Sequence, residues 1–258
     1  MHTDVHSLIR NQTLWQGEAN PHPKFMQQQA VASTGIAEID VALPDGGLPC
    51  GALHEWSLDL ELPEKKSWRW YPPLSVLAHS IGNSLNTGGT KPLVAWINCT
   101  PTPQLLAATM PHNEQWHWQP NNIFLSIKPE KERLWAALQI LRNKSVFAAV
   151  IDARKFSFVA TRKLQLAASE GGAIGFLVRP PWEKIDASAA QTRWQVTAAP
   201  LQNQFAWDVQ LTHARRTATP QQWTVEWQRT EGFSRGAVSI APQSAAEEFP
   251  LERHNVNS

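Results

Sequence analysis

Between Lys91 and Pro180, short apolar runs alternate with longer segments of helical period, and this pattern restricts the fold more than any other feature of the chain. "VFAAVI" (146–151) and "AIGFLV" (173–178) carry no hydrogen-bonding side chain. A strand of that kind needs cover on both faces, so both are expected in the middle of a parallel sheet. "PLVAWIN" (92–98) and "NIFLSI" (122–127) read as further strands. After them "PEKERLWAALQILRN" (129–143) reads as a helix. Pro129 suits its first turn, Glu130 and Glu132 sit at the positive end of its dipole, and Leu134, Ala137, Leu138 and Leu141 form one stripe. "FVATRKLQLAASEGG" reads as a second helix, closed by Gly171. The expected fold is α/β, with a mainly parallel central sheet flanked by helices.

After Pro180 and Pro181 the period drops to two. Trp194 and Val196, then Trp207, Val209 and Leu211, then Trp223, Val225 and Trp227 alternate with polar residues. Antiparallel strands with one wet face are expected there, extending the sheet near the C-terminus. At the other end, residues 4–15 have helical spacing and 18–29 read as a linker. The expected organisation is an N-terminal helix and linker over 1–30, an α/β domain over 31–230, and a flexible tail over 231–258.

A formal charge of +1 means that bulk electrostatics do not drive binding to nucleic acid or membrane, so any such contact must be local. Two cysteines, Cys50 and Cys99, give neither a disulfide framework nor a thiolate metal site. No run approaches the roughly 20 apolar residues of a spanning helix, and no signal peptide opens the chain, so a cytoplasmic protein without membrane contact is expected. The 13 tryptophans can be read as base-stacking platforms or as core fillers, and core filling is expected for most.

Four patterns bear on chemistry. Lys66-Ser67 follows an apolar strand-like segment, as in a phosphate-binding loop, but Glu64 and Lys65 precede it where such a loop needs glycine. Trp68, Trp70, Pro72 and Pro73 then stand where a helix should open. "GFSRG" (232–236) satisfies the nucleophile-elbow expression, yet a strand-like segment follows Ser234 where the elbow needs a helix. His112 and His117 are spaced wrongly to share a helix face. Finally, basic residues outnumber acidic ones from Lys128 to Lys163. Arg154, Lys155, Arg162 and Lys163 fall at and beyond the end of the "VFAAVI" strand, where α/β sheets place ligands, and a nucleic-acid contact is weighed there against a solvated helix face.

The segment "STGIAEIDVALPDGGLPCGALHE" (33–55) resembles the entrance to the RecA recombinase core, through Ser33, Thr34, Gly35, Asp40, Leu43, Gly46, Gly47, Leu48, Pro49, Gly51 and Glu55. "PLVAWIN", "ERLWAALQILRNKSVFAAVIDA", "ATRKLQLAASEGGAIGFLVRP", "WDVQLTHAR" and "QQWTVEW", with the N-terminal "LIRNQTLWQG", look more like the ImuA family of RecA-like proteins from the bacterial SOS mutagenesis cassette. The resemblance implies an accessory role in translesion synthesis beside an ImuB-like polymerase subunit, with RecA and an error-prone replicative-type DNA polymerase as further partners. It also implies loss of ATP chemistry. The strand ending near Glu55-Trp56 is the one that leads into RecA's phosphate loop, whose glycines, lysine and hydroxyl have no counterpart here. Thr100 stands where RecA carries its catalytic glutamate, and only Asp152 matches a nucleotide-motif carboxylate. Neither cofactor nor metal is therefore expected. An ATP-dependent recombinase and a SulA-type inhibitor of cell division remain alternatives. Partner contacts are expected at Trp68, Trp70 and Tyr71 or at Phe233 and Phe249, as aromatic anchors.

Overall fold

The computed structural model describes residues 30–58, 74–84, 93–101, 121–180, 182–183, 187–199, 205–215, 221–229 and 236–240. Strands β1 (Val31–Ala32) and β2 (Leu48–Pro49) form a small antiparallel pair flanking helix α1 (Ala37–Ala42). A Cβ on Gly47 would lie 2.6 Å from the Ala32 carbonyl oxygen, so only glycine lets the two short strands approach this closely.

The main sheet begins with β3 (Leu53–Leu58), β4 (Leu93–Ile97), β5 (Asn121–Leu125), β6 (Val146–Asp152), β7 (Ile174–Arg179) and β8 (Thr192–Ala199). These six strands are parallel to their neighbours. On the far side of β8, β9 (Phe205–Ala214), β10 (Gln221–Arg229) and β11 (Gly236–Ile240) continue the sheet in antiparallel fashion. Among the described residues the order is β11-β10-β9-β8-β3-β7-β6-β4-β5. The first strand of the parallel part in chain order, β3, therefore lies inside the sheet, with β7 and β8 on either side.

Strand parity divides the core into two. Trp56, Trp96, Val150, Phe176 and Trp194 face one way and pack with Leu77 and Ile81 of α2 (Leu74–Ser84). Leu53, Ile97, Ile151 and Leu177 face the other way, against Ala137 and Leu141 of α3 (Glu130–Arg142) and Leu164 and Ala168 of α4 (Phe158–Gly171). Both faces of the central strands are thus covered, which is why β6 and β7 are apolar throughout their lengths until a charged residue closes each one. Tryptophan supplies much of the first core: Trp56 and Trp194 stack with ring centroids 4.9 Å apart, and Trp223 tilts against Trp194. Trp135 and Trp182 are exposed.

Several details differ from the sequence expectations. Pro129 is the N-cap of α3, with ψ 132°, because an extended residue there lets the helix begin at Glu130. The buried stripe of α3 is Arg133, Ala136, Ala137 and Leu141, while Leu134 and Leu138 are half-buried. Gly171 is the last residue of α4, and the left-handed cap is Gly172, whose N–H reaches the Ala168 carbonyl at 2.8 Å. Gly236–Ile240, within the stretch expected to be a tail, is a strand, because β10 offers it a free edge to pair with. The expected helix over 4–15, the linker over 18–29, Lys66-Ser67, His112, His117 and Ser234 lie outside the described residues.

Candidate functional site

The motif block at the entrance to the sheet is held by one carboxylate. Asp40, on α1, accepts from the Thr34 backbone N–H and the Thr34 hydroxyl, both at 2.8 Å, and from the Ser33 hydroxyl at 2.5 Å. The Ser33 oxygen in turn accepts from the N–H of Gly35. Ser33, Thr34, Gly35 and Asp40 therefore form a closed turn whose polar groups serve one another. Gly46 and Gly47 then carry the chain into Leu48 and Pro49 of β2, and the Gly51 N–H donates to the Gly172 carbonyl at 3.1 Å, tying the start of β3 to the end of α4.

Glu55 is buried in β3 between two arginines. Arg179 Nε donates to it at 2.8 Å from β7, and Arg193 Nε at 3.2 Å from β8. Arg179 is itself 2% exposed, and its other nitrogens donate to the carbonyls of Ala153 and Phe156 and to Glu183. A charge placed so deep needs such a full set of partners. One guanidinium thus ties β3, β7 and the segment after β6 together, and the sequence reading did not find this cluster.

On the opposite face of β3, His54 is fully buried. Its Nδ1 lies 2.8 Å from the Thr192 hydroxyl and its Nε2 lies 3.1 Å from the Pro49 carbonyl. The carbonyl can only accept, so Nε2 carries the proton, Nδ1 accepts from Thr192, and the Thr192 oxygen accepts from Trp194 Nε1 at 2.6 Å. Burial lowers the His54 pKa to about 4, so the ring is neutral near pH 7.

Ligands of α/β sheets bind beyond the carboxyl ends of the strands. There the structure brings Thr100, Asp152 and Arg154 onto adjacent strand ends, since β4 and β6 pair as far as Ile97 and Ile151. Asp152 is buried, and both of its oxygens accept from Arg154: Nε lies at 3.0 and 2.9 Å and Nη2 at 2.6 Å. The Arg154 pKa rises chiefly through that hydrogen bonding. To coordinate a cation, Asp152 would have to share its oxygens with this guanidinium or lose it. Cys99, beside them, is buried and its thiol pKa is pushed far up, mainly by desolvation, so it is no nucleophile near neutral pH.

Of the four basic residues weighed between a nucleic-acid contact and a solvated helix face, Arg154 is thus already paired. The exposed Lys155, with φ 66°, has its backbone N–H on the Glu183 carboxylate. Arg162 and Lys163 are exposed on α4. The expected partner contacts at Trp68, Trp70, Tyr71, Phe233 and Phe249 lie outside the described residues. No group of three or more potential metal-ligating side chains occurs among the described residues, and none of their helices is long and apolar enough to cross a membrane.

No protein-family model matches this chain, and neither does any curated protein.

Proposed function

We propose that the protein is a RecA-like accessory subunit, without ATP chemistry of its own, of an SOS-induced error-prone translesion synthesis complex. It acts through contacts with an ImuB-like polymerase subunit, with RecA and an error-prone replicative-type polymerase as further partners. The reading rests on the resemblance of residues 33–55 and of the strand segments to that family, and on a sheet whose parallel part supports a RecA-like scaffold.

The observation that carries the non-catalytic half is the pairing of Asp152 with Arg154. Asp152 matches the family's magnesium-side aspartate, and its carboxylate is spent on a guanidinium two residues away. Thr100, at the end of β4, offers a hydroxyl where hydrolysis needs a carboxylate that can accept a proton from water.

The test is ATP hydrolysis by the purified full chain, with and without magnesium and single-stranded DNA. The expected result is no turnover above background. Magnesium-dependent turnover that disappears when Lys66 is replaced overturns the proposal. In cells, deleting the gene is expected to abolish damage-induced mutagenesis while leaving homologous recombination intact.

A further inference from the structure

A cavity of about 430 Å³ opens at the carboxyl edge of β4, β5 and β6, and Asn98, Thr100, Phe124, Lys128, Arg133 and Arg154 contribute to its wall. Three of these six side chains are cations, and no acidic residue lines it. Asp152 offsets one cation from beneath, through its pair with Arg154. Two positive charges are left for whatever fills the cavity.

Arg133 is the informative member. It is 4% exposed, its Nη2 donates to the Arg154 carbonyl at 2.6 Å, and its guanidinium lies 5.2 Å from the centre of the Phe156 ring. Its Nε is buried with no hydrogen-bond partner, one of two such side-chain atoms among the described residues. A buried cationic donor left unmatched costs stability unless something supplies an acceptor.

The rim is built rather than accidental. Asn98 sits in the left-handed region with φ 53°, a conformation asparagine tolerates better than most residues. Its side chain donates to the Ile127 carbonyl and accepts from the Ile127 N–H, each at 2.7 Å. This reciprocal pair fixes the loop that carries Ser126 and Lys128 at the cavity mouth. Beside it stands Phe124, 48% exposed on β5, the edge strand of the sheet among the described residues.

We propose that this cavity binds a nucleotide unit, its phosphate meeting Lys128 and Arg133 and its base lying against Phe124. Cations are matched to phosphate by charge and hydrogen bonding, and an exposed aromatic face is matched to any base by stacking. The unit comes either from a single strand of nucleic acid or from a free nucleotide, and both present the same chemistry. The inference stands apart from the polymerase reading, because it uses only this edge of the sheet.

The test is fluorescence anisotropy of the full chain with a labelled twenty-nucleotide oligo(dT) at low salt, with dTMP and inorganic phosphate as competitors. Lys128→Gln and Phe124→Ala change exposed positions, and each is expected to weaken binding about tenfold. Arg133→Gln is expected to do the same, but it sits in the core and is judged only alongside the other two. Oligo(dT) binding that both exposed substitutions weaken assigns the site to a strand. Binding of dTMP alone with the same sensitivities assigns it to a free nucleotide. Binding of oligo(dT) and dTMP that ignores Phe124→Ala and is no tighter than that of inorganic phosphate overturns the nucleotide assignment. Absence of binding by all three probes, or binding by variants equal to the parent, overturns the site itself.

Discussion

Replacing Glu55 by glutamine keeps the shape of the side chain and removes the charge that two arginines share. Arg193 is 24% exposed and can turn toward water. Arg179 is 2% exposed and cannot. It keeps its two backbone carbonyls, but among the described residues its charge is then answered only by Glu183 at 3.4 Å. Removing one partner of a buried ion pair typically costs 3–5 kcal/mol, and the residual Glu183 contact places the expected loss near the lower end, about 3 kcal/mol. For a body of this size that corresponds to a fall in Tm of about 6–12 °C. Urea unfolding followed by far-ultraviolet circular dichroism measures it, with a shifted midpoint and an unchanged slope. A second replacement, Arg179→Met, made in the Glu55→Gln background is expected to recover part of the loss, because the stranded charge goes with it. If Glu55→Gln unfolds within about 1 kcal/mol of the parent, the cluster does not anchor β3, and Glu55 has to be reconsidered as a functional acid.

Three further outcomes follow from the same geometry. The folded-state pKa of His54 lies below its unfolded value, so the unfolded chain takes up the proton first and stability falls as the pH drops from about 6.5 to about 4. The expected loss is about 3 kcal/mol at about 1.4 kcal/mol per pH unit, and a His54→Gln variant followed by urea midpoints across that range should lack this component. Asp40→Ala removes the acceptor for three hydrogen bonds around Ser33 and Thr34 and is expected to cost about 2 kcal/mol by thermal melting, with Asp40→Asn costing less. In a Cys50→Ser background, Cys99 should resist thiol reagents at pH 8 and react fully in denaturant, because burial keeps its thiol protonated.

How far the sequence reaches can be judged element by element. β6 and β7 were legible because an apolar run without polar interruption has few other places to go. β8, β9 and β10 were legible from tryptophan and valine at alternate positions. β11 was legible only as the strand-like segment after Ser234; its place in the sheet depends on the free edge of β10, which local sequence does not contain. The same limit hides the ion cluster. Glu55 and Arg179 are each a charged residue within or at the end of an apolar strand, so each demands a partner. That they answer one another follows only from β3 lying beside β7, a neighbour far away in the chain. Asn98 offered a weaker signal, an amide directly after the apolar run of β4, and its clasp on Ile127 again depends on β5 pairing with β4. Arg154 was weighed as a contact for nucleic acid, against a solvated face, from its place at a strand end. Local sequence did contain its partner, Asp152, two residues earlier.

The proposed accessory role is tested most directly by mixing the purified full chain with an ImuB-like polymerase subunit and measuring complex formation by size-exclusion chromatography with light scattering. A complex that forms at micromolar concentration, equally well with and without magnesium-ATP, is the predicted result. No complex under either condition, or one that forms only with ATP, contradicts it.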